Sequence, residues 1–186
     1  IHGNIPPELG KLLNLTYLSL GANNLMGTIP ESIFNLSGLQ TISLAYNNLS
    51  GNLPSSIGLS LPNLDTLFLS TNQFSGMIPS SISNASKLTQ MDLSHNSFSG
   101  NVPTTLGNLG HIQLLSLESN QLINDPSTLE LGFLTALTNC RELKTLIVGN
   151  NPLNGILPKS IGNMSNSLEA FYIPASHIKG TIPSEI

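Results

Sequence analysis

The stretch LQTISLAYNNLSGNLP, residues 39–54, decides the fold. Leu39, Ile42 and Leu44 fall at the spacing L-x-x-L-x-L; Asn47, Leu49, Gly51, Leu53 and Pro54 complete the template L-x-x-L-x-L-x-x-N-x-L-x-G-x-I-P. Upstream, the same template runs from Leu15 through Leu18, Leu20, Asn23, Leu25, Gly27 and Ile29 to Pro30. Downstream it restarts at Leu64, Leu88, Ile112, Leu143 and Leu168. Successive starts at 15, 39, 64, 88, 112, 143 and 168 are 24, 25, 24, 24, 31 and 25 residues apart. Residues 1–186 therefore read as one segment of about seven repeats with partial repeats at both ends. A near-constant period in this range marks stacked coils.

Each part of the template has a physical role. The x-L-x-L-x core alternates with period two, so its apolar side chains point inward from a short strand and the intervening ones point out. One such strand cannot bury its own face, and adjacent coils must share a core. The recurring Asn23, Asn47, Asn72, Asn96, Asn120 and Asn151 stand where the chain leaves the strand. A buried Asn there satisfies backbone groups of its own coil and of its neighbour. Ser176 replaces it in the last repeat, which predicts a looser turn. The template Gly is expected to take a positive φ or to permit close approach of coils. Pro steers the return away from regular helix. Leu9, Ile33, Ile57, Ile82, Leu106 and Ile161, three residues after Pro, are the expected core contacts of the convex side.

Composition narrows the function. Charged residues make up only 9% of the chain and hydrophobic ones 39%, so Ser, Thr, Asn and Gly must solubilise the surface. The net charge is −4 and the six basic residues are scattered, which excludes a phosphate-tracking nucleic-acid surface. No apolar run approaches the ~18 residues of a membrane span, so the segment itself is not membrane-inserted. The first residues lack the layout of a signal peptide, and the pattern is interrupted at Ile186; an interior slice of a longer protein is expected.

The L-x-G-x-I-P signature in a repeat of this length resembles the plant-specific leucine-rich-repeat class of receptor kinases, receptor-like proteins and polygalacturonase inhibitors. That resemblance implies an α/β-type solenoid, a right-handed superhelix with a parallel concave sheet and an irregular or 3-10 convex side. The fifth repeat is longer, and its run Phe133 to Cys140, FLTALTNC, resembles an element of the immune receptor-kinase subfamily that includes sensors of bacterial elongation-factor peptides. Just before it, Asn124-Asp125-Pro126 has the pattern of a helix start, with Asp125 as N-cap. The resemblance implies an extracellular, non-enzymatic recognition segment of a membrane receptor that takes a peptide or protein ligand and pairs with a co-receptor kinase. Its own kinase would lie outside this segment. The alternative is a secreted cell-wall inhibitor of polygalacturonases.

Five N-x-[S/T] sequons, at Asn14, Asn35, Asn48, Asn84 and Asn163, suit a secreted glycosylated surface. Cys140 falls in the apolar slot of Leu36, Ala85 and Leu109, and is expected to be a buried thiol.

The outward strand positions form columns across the concave face. One reads Ser19, Ser43, Phe68, Asp92, Ser116, Ile147, Tyr172; a second reads Ala22, Tyr46, Thr71, His95, Ser119, Asn150, Ala175. Tyr46, Phe68, Asp92, His95 and Glu118 gather into an aromatic and acidic patch, the expected ligand-binding surface. His95 would make binding pH-sensitive in an acidic wall space. Ser94, His95 and Asp92 lack the mutual geometry and enclosed pocket of a hydrolase triad. Asp92, His95 and Glu118 form no recognised metal spacing. Neither a catalytic residue nor a cofactor is expected.

Overall fold

The computed structural model describes residues 1–185. The chain winds as a coil whose turns each contribute one strand to a seven-stranded parallel sheet. Its strands are β2 (Tyr17–Ser19), β4 (Thr41–Ser43), β6 (Thr66–Phe68), β8 (Gln90–Asp92), β10 (Leu114–Ser116), β12 (Thr145–Ile147) and β13 (Ala170–Tyr172). Equivalent residues pair directly, as in Ser43 with Phe68 and Phe68 with Asp92. The template leucines lie beneath as stacked rows. Leu39, Leu64, Leu88, Ile112 and Leu143 are fully buried, as are Ile42, Leu67, Met91, Leu115 and Leu146. Phe74 and Phe98 substitute for Leu in one row and stack on each other, 6.4 Å between ring centres. In the first and last coils Leu15, Leu20, Leu168 and Phe171 are only partly buried, because a coil packs on one side of them alone.

The convex return is built from short turns of helix. These are α1 (Glu31–Phe34), α2 (Ile57–Ser60) and α3 (Gly132–Leu137), with 3-10 turns at Pro7–Lys11, Ser80–Asn84, Thr104–Asn108 and Lys159–Asn163. Ile33, Ile57, Ile82, Leu106 and Ile161 are buried beneath them, and Leu9 is partly buried in the first coil.

Between the concave sheet and this return lies a second parallel sheet that the periodicity did not announce. Its strands are β1 (His2–Asn4), β3 (Asn24–Thr28), β5 (Asn48–Asn52), β7 (Gln73–Met77), β9 (Ser97–Asn101) and β11 (Gln121–Ile123). Here the pairing slips by two residues per coil: Gly27 stands opposite Leu49, Gly51 opposite Phe74, and Gly76 opposite Phe98. Both proposed roles of the template glycine are realised. Gly27, Gly51, Gly76 and Gly100 have φ of +77, +93, +76 and +77°. A Cβ on each would approach to 2.9 Å the side chain that follows the preceding coil's glycine: Asn4, Thr28, Asn52 or Met77.

The asparagine ladder closes the turn between the sheets. Asn120 Nδ2 donates to the carbonyls of Leu93, Leu117 and Glu118, and its Oδ1 accepts the N–H of Phe98 in the preceding coil. Asn47, Asn72, Asn96 and Asn151 repeat the arrangement. Ser176 makes a single such bond, to the carbonyl of Pro174, and the N–H of Leu153 turns to the carbonyl of Asn151 instead.

In the expanded coil the structure corrects one expectation. Asn124-Asp125-Pro126 starts no helix; α3 begins only at Gly132. Asp125 Oδ1 instead accepts from the N–H and hydroxyl of Ser127, which hold its carboxyl below the usual carboxylate range. Asn124 Nδ2 ties the carbonyls of Thr128 and Glu130. Local side-chain bonds thus close a turn where a helix would have needed its own capping bond. Glu130 then pairs with Ile156, so the loop rejoins the line of the second sheet.

Candidate functional site

The concave patch is assembled by register. In the strand column, Phe68 sits between Ser43 and Asp92, and Asp92 between Phe68 and Ser116. Small serines on either side leave the aromatic ring and the carboxylate half-exposed in a shallow arc.

The neighbouring column is conformationally special. Ala22, Tyr46, Thr71, His95, Ser119, Asn150 and Ala175 all have φ between +47 and +58°. Non-glycine residues enter this region at a cost of about 1–2 kcal/mol. They persist because bonds on both sides fix them: Tyr46 N–H donates to the Ser70 carbonyl at 2.9 Å, and Asn47 N–H to that of Thr71 at 3.2 Å. Since Ala22 and Ala175 adopt the same conformation, it belongs to the coil architecture rather than to one site. Its effect is to hold Tyr46, 64% exposed, and His95, also exposed, at the strand exit.

The five residues named from the sequence therefore share one surface, with partners the sequence did not reveal. Asp92 Oδ1 accepts the N–H of Ser94 at 3.0 Å, capping the end of its own strand. Glu118 Oε1 accepts from Asn150 Nδ2 at 3.0 Å and so leans towards the following coil. Ser94 is buried while His95 is exposed, and the Asp92 carboxylate serves a backbone N–H; these three residues do not form a nucleophile–base pair. Among the described residues no three His, Cys, Asp or Glu side chains converge in the manner of a metal site.

All five sequon asparagines are exposed. Asn35, Asn84 and Asn163 lie at the ends of convex turns, and Asn48 opens β5. Cys140 is fully buried, its Sγ 3.5 Å from the Leu106 carbonyl, and burial pushes its pKa up to about 11. A groove of about 620 Å³ on the second-sheet side, lined by Leu53, Met77, Ile78 and Pro103, lies outside the concave columns. Among the described residues no helix is long and apolar enough to cross a membrane.

The sequence profile of leucine-rich repeat regions matches residues 3–186. The chain is 40% identical over 78 residues to the LRR receptor-like serine/threonine-protein kinase EFR of Arabidopsis thaliana, an alignment covering 42% of this chain and 8% of that protein. Among solved structures, the plant peptide hormone receptor RGFR1 in complex with RGF2 superposes with a TM-score of 0.89 at 34% identity, covering 100% of this chain and 28% of that one. The Arabidopsis receptor kinase HAESA, solved with the peptide hormone IDA and the co-receptor SERK1, gives a TM-score of 0.83 at 32% identity, covering 99% of this chain and 29% of that one. This chain thus spans less than a third of the length of each.

Proposed function

The chain belongs to the leucine-rich repeat family, and from that premise we propose that it is a ligand-recognition segment of a plant receptor kinase, holding a peptide on its concave face. The observation that carries this reading is the pairing of Phe68 with Asp92 at the centre of the arc, flanked by small serines and by exposed Tyr46 and His95. An aromatic anchor beside a carboxylate, on a face with room alongside, suits an extended peptide that brings one apolar side chain and one donor or cation. The likeness to ectodomains solved with peptide hormones supports the same assignment.

In this reading the segment lies outside the cell, carries glycans at some or all of Asn14, Asn35, Asn48, Asn84 and Asn163, and performs no catalysis itself. The kinase and the membrane span belong to other parts of the receptor, and a co-receptor kinase joins once ligand is bound. Selection from a displayed random-peptide library tests the site, comparing the protein with its F68A/D92A variant. Enriched peptides should lose most of their binding to the variant while its melting temperature changes little. No enrichment, or equal binding to both proteins, would overturn the reading in favour of a purely structural scaffold.

A further inference from the structure

The upstream edge of the concave sheet carries a feature that the aromatic and acidic patch does not use. Along the column Tyr17–Thr41–Thr66–Gln90, two long side chains bracket two short ones. Tyr17 is 66% exposed and Gln90 is exposed, whereas Thr41 is buried and Thr66 half-buried. Three strand spacings of about 4.8 Å separate the two walls by roughly 14 Å. Gln40, Asn63, Asp65 and Lys87 close the side towards the strand starts, and the trough encloses about 540 Å³.

Its polar groups are aimed in advance. Thr66 Oγ1 donates to Asp65 Oδ2 at 3.0 Å, and Thr89 Oγ1 to Asp65 Oδ1 at 2.9 Å. Each carboxylate oxygen keeps a further lone pair for a ligand. Lys87 Nζ gives one hydrogen bond to Asn63 Oδ1 at 2.8 Å and keeps its other two N–H groups. A bound molecule therefore meets an acceptor-only group, a donor-only group, carboxamides that do both, and a phenol ring.

This set discriminates between ligand chemistries. An anion meets Asp65 and a cation meets Lys87, so a single charge of either sign is poorly matched. A peptide finds no apolar pocket on the threonine floor, and β4 and β6 beneath it are hydrogen-bonded on both sides, so a strand could be added only at the outer edge of β2 and not within the trough. A hydroxyl, in contrast, donates and accepts at once. Neighbouring hydroxyls of a sugar ring give hydrogens to Asp65 and receive them from Lys87, while the C–H face of the ring lies on Tyr17. We propose that the trough bounded by Tyr17 and Gln90 binds a short neutral oligosaccharide, with Asp65, Lys87 and the flanking carboxamides reading its hydroxyls. The trough adjoins Phe68 and Asp92, which lie two residues further along β6 and β8, but neither side chain lines it, and it does not depend on the peptide reading.

Calorimetric titration of the protein with neutral hexamers of β-1,4-linked glucose, xylose and mannose tests this, alongside a galacturonic-acid hexamer and a mixed heptapeptide pool. At least one neutral hexamer should bind, and Tyr17→Ala and Asp65→Asn should each weaken it about tenfold. The F68A/D92A variant should bind that sugar unchanged, which separates failure here from failure of the peptide site. Thermal melts of each variant establish that the coils remain folded, and exposed Tyr17 can be removed without loss of core. Silence of every neutral hexamer at millimolar concentration would overturn the proposal. So would binding indifferent to both substitutions, or preference for the acidic hexamer or the peptides through Tyr17.

Discussion

Asn120→Ala isolates what the asparagine ladder contributes. Asn120 is 8% exposed and makes three donor contacts and one acceptor contact. Its loss does not orphan every partner. The Leu93 carbonyl still accepts from Asn96 Nδ2 at 3.2 Å, and the Leu117 carbonyl from Asn151 Nδ2 at 2.9 Å. The Phe98 N–H has no such reserve, because Asn120 Oδ1 is its acceptor at 2.9 Å inside a buried turn. One orphaned buried donor costs about 1–3 kcal/mol, and each shared bond lost adds about 0.5–1. The sum is about 3 kcal/mol, or roughly 6–12 °C in melting temperature for a chain of this size. Asn120→Asp keeps the acceptor but places a carboxylate oxygen against three carbonyls, and should cost at least as much. Urea unfolding followed by far-UV circular dichroism gives the global effect. Hydrogen exchange at Phe98 gives the local one, which matters because a repeat array need not unfold in one step. A loss below about 1 kcal/mol with the Phe98 amide still protected would refute the ladder argument.

Other outcomes follow from single positions. Gly76→Ala should destabilise by about 1–2 kcal/mol or more, since φ is +76° and a Cβ would stand 2.9 Å from the Asn52 side chain. Gly110→Ala, with nothing within 4 Å, should be neutral in the same urea titration. Cys140 should resist maleimide at pH 8 until the chain is unfolded, because burial holds the thiol protonated. Its pKa is raised from 9.0 to about 11 on folding, so the unfolded chain loses the proton first. The stability it contributes is complete below about pH 9 and declines as the pH rises towards 11; Cys140→Ala should flatten that slope.

The strand positions, the buried rows and the concave columns were legible in the sequence, because alternation and a fixed period are local properties of the chain. The burial of Cys140 followed from the same periodicity, whereas the exposure of the five sequon asparagines came only from the structure. Asp125 misled the reading: an Asp before a Pro serves a helix start and a closed turn equally well, and the choice rests on which backbone N–H groups reach the carboxylate. The left-handed column gave no signal either, since Ala22, Tyr46, Thr71 and His95 share no composition that favours positive φ. Their conformation is imposed by bonds from the neighbouring coils.

The sequence by itself determined that the chain coils, which face of each strand is buried, and which side chains line the arc. Only the tertiary structure decided the second sheet with its two-residue slip, the carboxylate commitments of Asp92 and Glu118, and the trough beside Tyr17. These depend on which residue of one coil lies over which residue of the next. That offset is set when neighbouring coils pack, by glycine clearance and shared asparagine bonds, and no single repeat contains it.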